Sequence, residues 1–179
     1  MMNKSKIAVL LIFMVFLTIS SCGDDEQKPK PKELNPKEVS DNLAQIHKHN
    51  IRIEDQQIDD YLERRGWKFT RTESGLRYKI YDEGVGLKPK EGQRVVLEYT
   101  INLIRGDVVY DSKKDGLKTF IVGKGDEPSG LQEAVQLMHV GGRAKLILPS
   151  YLAYGLVGDG NKVPASATLF YDLYLKEVH

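Results

Sequence analysis

From Gly75 onward apolar residues recur mostly at every second position, and one stretch alone departs to helical spacing. Gly75-Leu-Arg-Tyr-Lys-Ile-Tyr81 alternates, and Gly84-Val-Gly86 and Pro89-Lys-Glu-Gly92 turn the chain. Arg94 to Ile104 reads as a long strand, Arg105-Gly106-Asp107 as a hairpin turn and Val108-Val-Tyr110 as the return. Asp111 to Gly116 is a polar loop, followed by a strand from Lys118 to Val122. The exception begins at Ser129, which can cap a helix whose Leu131, Val135 and Met138 line one side. Gly141-Gly142 stops it before the strand Arg143 to Leu148, and a turn-rich loop then leads into a last strand ending near Leu175. No βαβ order and no internal repeat appears. The expected fold is α+β: a curved antiparallel sheet, or half-barrel, wrapped around one short amphipathic helix.

The first half adds a small helical N-terminal extension. Asn35-Pro36 reads as a cap followed by proline at the first helical position, with Val39, Leu43 and Ile46 at helical spacing up to about His49-Asn50. A second short helix carries Ile58, Tyr61 and Leu62 and ends at Gly66. Neither is long enough to stand alone, so each needs a packing partner. With so little apolar face per helix, a monomer is expected over dimerisation through them. His47 and His49 point to different sides of a helix and are read as surface residues, and His139 as a surface or C-cap residue; no metal site and no cofactor is expected. From Trp67, Trp67-Lys-Phe-Thr70 alternates as a first strand.

The N-terminus is read as targeting sequence. Lys4 and Lys6 precede an unbroken apolar run, Ile7 to Leu17, and then Thr18-Ile-Ser-Ser-Cys22. Eleven residues make about 16 Å of helix, roughly half a bilayer core, which favours a signal peptide over a membrane span. Cys22 is the sole cysteine, so no intramolecular disulfide supports the fold. The boundaries read as signal peptide 1–21, tether 22–34, helical extension 35–66 and main domain 67–179. Lys4 and Lys6 are the only charged residues removed with the signal, from a total of 26 basic and 25 acidic residues. The remainder is close to neutral, which argues against a general affinity for nucleic acid. Lys28-Pro-Lys-Pro-Lys32 reads as an extended spacer.

Ile19-Ser20-Ser21-Cys22 resembles the lipobox of bacterial lipoproteins, which implies lipidation of Cys22; the bland alternative is a free thiol. Asp24-Asp-Glu26 beside it resembles the acidic surface-sorting tags of some Bacteroidetes lipoproteins, though an aspartate there favours inner-membrane retention in enteric bacteria. A membrane-anchored location outside the cytoplasm, periplasm or outer membrane, is expected.

In the main domain, Val95-Val-Leu-Glu-Tyr-Thr100, Tyr110-Asp-Ser112, Phe120-Ile-Val-Gly123, Gly130-Leu131, Met138-His-Val-Gly141, Arg143-Ala-Lys145, Ala153-Tyr-Gly155, Pro164 and Ala167-Thr-Leu-Phe170 follow one another in the order and spacing of the FKBP-type peptidyl-prolyl cis–trans isomerases. The chain resembles that family over roughly Gly75 to Val178. With its lipobox and helical extension it also resembles the gliding-motility-associated isomerases of Bacteroidetes. The resemblance implies an isomerase of Xaa-Pro bonds that assists the folding of exported proteins. It implies catalytic roles for Tyr99, Asp111 and Tyr154, and a substrate pocket of Tyr110, Phe120, Leu131, Val163 and Tyr171. Taken without the family, Tyr99, Phe120 and Leu131 read as core, Asp111 as an Asx-turn or helix cap, and Tyr154 as a turn residue. The chain departs from the family pattern at several points. Leu131 stands for a tryptophan, Lys118 for an aromatic and Lys162 for an isoleucine, while Tyr110 and Tyr171 stand for phenylalanines. Glu127-Pro128 replaces an apolar pair whose second amide donates to substrate. The site is thus more polar than usual, which weakens activity or shifts substrate preference. The competing reading is a non-catalytic chaperone or a binding subunit of a membrane assembly.

Overall fold

The structure, a computed structural model, describes residues 35–125 and 127–179. The signal segment, Cys22 and the tether therefore lie outside the described residues. Asn42–His179 form one compact unit, and residues up to Asp41 belong to another.

One continuous helix, α1 (Pro36–Arg64), replaces the two expected short ones. Neither glycine nor proline occurs between Lys37 and Arg65. Asn50 costs a few tenths of a kcal/mol inside a helix that has already nucleated, too little to stop it. Both expected ends hold. Asn35 Oδ1 accepts the Lys37 amide at 3.0 Å, and Gly66 adopts φ +63°. The Gly66 and Trp67 amides donate back to the Glu63 and Leu62 carbonyls in a Schellman closure.

The sheet contains seven antiparallel strands: β1 (Thr70–Arg71), β2 (Arg77–Asp82), β3 (Arg94–Leu103), β4 (Val108–Asp111), β5 (Lys118–Ile121), β6 (Arg143–Leu148) and β7 (Leu169–Val178). Their spatial order is β1-β2-β6-β7-β3-β4, with β5 also paired to β3. The expected first strand shrinks to two residues. Trp67 and Phe69 instead lie on the back of the sheet, where Trp67 stacks on Phe69 and meets Phe170 at 5.9 Å between ring centroids.

Alternation sets the two faces. On β3, Val95, Leu97, Tyr99, Ile101 and Leu103 are buried; on β7, Leu169, Tyr171, Leu173 and Leu175 are. Helix α3 (Ser129–Val135) lies against this inner face, with Leu131, Val135 and Met138 buried as the helical spacing predicts. Its cap differs from expectation. Ser129 is the first helical residue, Pro128 occupies the cap position, and no side chain closes the end. The outer face is covered where Ile58 and Leu62 of α1 pack on Ile147, which explains three consecutive buried residues at the end of β6.

Charge fastens α1 as well. Arg77, only 1% exposed, places its guanidinium between Asp55 (2.5 Å) and Asp59 (2.9 Å) and donates to the Gly75 carbonyl. Glu54 accepts the Ser150 amide (2.6 Å), the Ser150 hydroxyl (2.8 Å) and the Thr168 hydroxyl (2.6 Å), tying α1 to both ends of the loop 149–168.

Candidate functional site

The edge strand beside β3 is interrupted. β4 pairs with residues 100–102 of β3 and β5 with residues 94–97. Between them the expected polar loop forms a short helix, α2 (Ser112–Asp115). The ladder would leave the Tyr99 amide unpaired at this gap; it donates instead to Ser112 Oγ at 3.0 Å. Asp111 caps α2. Its Oδ1 accepts the Lys113 amide at 2.9 Å, and its own amide donates to Asp115 Oδ2 at 2.8 Å. The cap alternative for Asp111 is thus the contact that the described residues display, and the carboxylate is held half-buried at the strand end.

Several of the residues expected to line a substrate pocket lie on one side of the sheet. Tyr99, Phe120, Leu131, Val163 and Tyr171 are all at most 9% exposed and belong to one apolar cluster, with Tyr110 and Tyr154 packed against it. β3, β5, α3 and β7 supply the buried members of this cluster. The loop 149–168 supplies Tyr154 and Val163.

That loop is organised by Asp159, a residue that the sequence reading missed. Asp159 Oδ1 accepts the Asn161 amide (2.9 Å) and the Val163 amide (2.8 Å), while Oδ2 accepts the Tyr110 hydroxyl. Its carboxyl lies below the ordinary aspartate range; burial opposes this, and the three donors outweigh it. Asp159-Gly160-Asn161 is an Asx-turn signature, and that signal could have found it. Glu54 carried no comparable signal, since its partners lie 96 and 114 residues away.

The polar departures largely answer one another. Lys118 Nζ donates to both Glu127 oxygens, at 2.8 and 2.9 Å, and lies 5.7 Å from the Tyr99 ring centroid. Lys162 Nζ lies 3.3 Å from Asp115 Oδ1 and 4.6 Å from the Tyr110 ring centroid. The tyrosines stay protonated. Burial, reinforced by the negative charges of Glu127 and Asp159, pushes the Tyr154 phenol up to about 12. Burial raises Tyr99 too, with Asp115, Glu127 and Asp111 adding to it. Each phenol is a neutral hydrogen-bond donor throughout the physiological range. Among the described residues, no group of histidine, cysteine, aspartate or glutamate could hold a metal ion, and no helix is long and apolar enough to cross a membrane.

The site thus stands on an antiparallel sheet curved over one short helix, with an interrupted edge strand and tyrosines packed against an apolar cluster. Residues 86–176 match the family model of the FKBP-type peptidyl-prolyl cis-trans isomerases. The chain belongs to that family. It is 40% identical over 108 residues to the probable FKBP-type peptidyl-prolyl cis-trans isomerase FkpA of Neisseria meningitidis, covering 60% of this chain and 39% of that protein. It is 39% identical over 106 residues to the outer membrane protein MIP of Legionella longbeachae, covering 59% of this chain and 45% of that protein. The chain thus spans less than half the length of either relative. The crystal structure of AtFKBP13 superposes with a TM-score of 0.59 at 27% identity, over 63% of this chain and 99% of that one.

Proposed function

We propose that the protein is a peptidyl-prolyl cis–trans isomerase that acts on Xaa-Pro segments of exported polypeptides. The observation that carries this reading is the gathering of Tyr99, Phe120, Leu131, Val163 and Tyr171 in one apolar cluster, with Tyr110 and Tyr154 packed on it. Rotation about a peptide bond faces a barrier of about 18–20 kcal/mol, because twisting destroys amide resonance. Twisting also removes much of the amide dipole. An apolar pocket therefore favours the twisted form over the planar, polar one, while hydroxyls at its margin hold the neighbouring carbonyls. Lowering the barrier by about 5–6 kcal/mol accelerates exchange roughly ten-thousand-fold. No general base, covalent intermediate or cofactor enters this reaction. In this reading Tyr154 donates to a substrate carbonyl, and Asp111 orients the strand end beside the pocket.

Lipidation of Cys22 would hold the domain at a membrane outside the cytoplasm, with residues 24–34 as spacer. The lipobox resemblance supports this, and metabolic labelling with a fatty acid, lost in Cys22→Ser, tests it. Isomerisation is tested with a proline-containing chromogenic peptide and the detergent-extracted full chain. The expected result is a rate well above background that falls at least tenfold in Tyr154→Phe. A background rate in the unmodified protein would sink the enzymatic reading. The second reading, a non-catalytic binding module, is favoured by Pro128, which carries no amide hydrogen where the family resemblance implies a donor. Peptide binding without turnover would support it.

A further inference from the structure

The loss of a donor at Pro128 has a counterpart in the apolar cluster beside it. Tyr171 stands where the family resemblance implies a phenylalanine, so its hydroxyl is an atom that the usual pocket lacks. That oxygen is buried and has no hydrogen-bond partner among the described residues, and the residue is 1% exposed. Leaving a buried hydroxyl unpaired destabilises the fold, because its desolvation is not offset, and a phenylalanine in the same place would avoid that cost.

The position of the hydroxyl is set by the sheet. Tyr171 lies in register between Ile101 of β3 and Leu146 of β6, on the same inward face as Tyr99. Its ionisation is raised well above the ordinary tyrosine value, chiefly by burial, then by the negative charge that Tyr154 and Glu127 would bring, by the polar approach of the Tyr154 hydroxyl, and by Tyr99. Tyr171 shares its apolar cluster with Tyr99 of β3 and Leu131 of α3, and Tyr154 of the loop packs against the same cluster. Tyr154 is its neighbouring phenol, close enough for each hydroxyl to shift the other's ionisation but not in full hydrogen-bonding geometry. Glu127 is the residue next to Pro128.

We propose that the Tyr171 hydroxyl is a substrate-binding donor, supplying to a backbone carbonyl of the bound Xaa-Pro segment the hydrogen bond that Pro128 cannot. This rests on the pocket reading above. The accepting oxygen belongs to a peptide bond flanking the prolyl amide. A donor to the prolyl amide's own oxygen would stabilise the planar resonance form and oppose rotation. A flanking carbonyl keeps its polarity while the prolyl bond turns, so the hydrogen bond contributes equally to bound substrate and transition state. Its loss therefore appears in KM and leaves kcat little changed.

The experiment uses the full chain in detergent and three readouts: turnover of the chromogenic peptide, titration of a non-hydrolysable Xaa-Pro peptide, and thermal melting. In Tyr171→Phe, peptide affinity and kcat/KM fall about 3–10-fold, the span of one neutral hydrogen bond. The melting midpoint stays level or rises, because an unpaired buried hydroxyl has been removed. A merely structural role could not move stability and affinity in opposite directions. Pro128→Ala restores an amide hydrogen at the rim and, in the Tyr171→Phe background, recovers most of the lost affinity. The proposal is overturned if Tyr171→Phe binds as tightly as the unmodified protein, or if its affinity falls only together with its melting midpoint. Should the unmodified protein bind the peptide without turning it over, the isomerase reading fails while a weakened Tyr171→Phe still upholds the donor. Absence of peptide binding by the unmodified protein overturns both.

Discussion

Asp55→Ala tests whether α1 is fastened by a buried charge as well as by apolar contact. Arg77 is 1% exposed and makes close contacts to two carboxylates, Asp55 at 14% and Asp59 at 51% exposure. Burial works against its charge more than any other single influence, yet hydrogen bonds and charge from Asp55 and Asp59 raise its ionisation above the ordinary arginine value. The guanidinium therefore stays charged when a partner is removed. Breaking a buried pair costs about 3–5 kcal/mol, because an uncompensated charge remains. Here Asp59 persists, which places Asp55→Ala near the lower end, about 3 kcal/mol, or about 10 °C in melting midpoint for a unit of this size. Asp59→Ala removes a partner already half in water and should cost no more than about 1 kcal/mol. Urea unfolding of the two variants measures the difference. Replacing both members, as in Arg77→Met with Asp55→Leu, should recover much of the loss, since no bare buried charge is left: Asp59 and Arg71 are each half in water. If Asp55→Ala costs under about 1 kcal/mol, or no more than Asp59→Ala, the buried-charge account is wrong, and Ile58, Leu62 and the Glu54 hydrogen bonds hold the helix.

Three further outcomes follow from the site. Glu54→Ala should cost about 2 kcal/mol by melting and lower kcat/KM several-fold, because the carboxylate bonded to Ser150 and Thr168 anchors the loop bearing Tyr154; unchanged turnover would show that the loop holds itself. Lys118→Ala and Glu127→Ala should couple in a double-mutant cycle by about 1 kcal/mol, with the double variant closer to the unmodified protein than the sum of the singles. The Tyr154 phenol, pushed up to about 12, should give a peptide-isomerisation rate that is flat from pH 7 to 10. Its contribution to stability is complete below the unfolded value near 10 and is lost as pH rises from there through about 12; an alkaline decline in rate centred near 10 would contradict the burial of this hydroxyl.

The inner face of this fold is legible residue by residue. Val95, Leu97, Tyr99, Ile101 and Leu103 alternate in the sequence and are the residues that β3 buries; Leu131, Val135 and Met138 do the same at helical period. Periodicity reports which side of an element is covered, but it does not say by what. Thus Ile147 breaks the alternation of β6, because α1 covers the outer face at that point. The joining of two expected helices into α1 has the same root: a polar Asn50 looked like an end, while the charges and apolar residues beyond it were needed to dock the helix. Side-chain partners are harder to read. Lys118 and Glu127 appear as two separate departures from the family pattern, because nothing in one dimension signals that a strand residue and a rim residue nine positions apart will meet. Asp159 was readable in principle from its turn dipeptide, whereas Glu54 was not, its partners being fixed only once the sheet has formed.

The pairing of these charges bears directly on the chemistry. A planar prolyl amide carries excess negative charge on its oxygen, and a nearby bare cation would stabilise that form and slow rotation. Lys118 and Lys162 would be such cations. With its Nζ held by both Glu127 oxygens, Lys118 presents little net charge to the pocket, and Lys162 is turned toward Asp115 over the Tyr110 ring. The interior between them keeps the apolar character that favours a twisted amide. What separates this pocket from an ordinary one of its family is therefore less its charge than its donors: an amide hydrogen is absent at Pro128 and an unpaired hydroxyl is present at Tyr171. Substituting both positions together, with Pro128→Ala and Tyr171→Phe, should return the pocket to the family's donor pattern and separate the effect of donor placement from that of the paired charges, which both substitutions leave untouched.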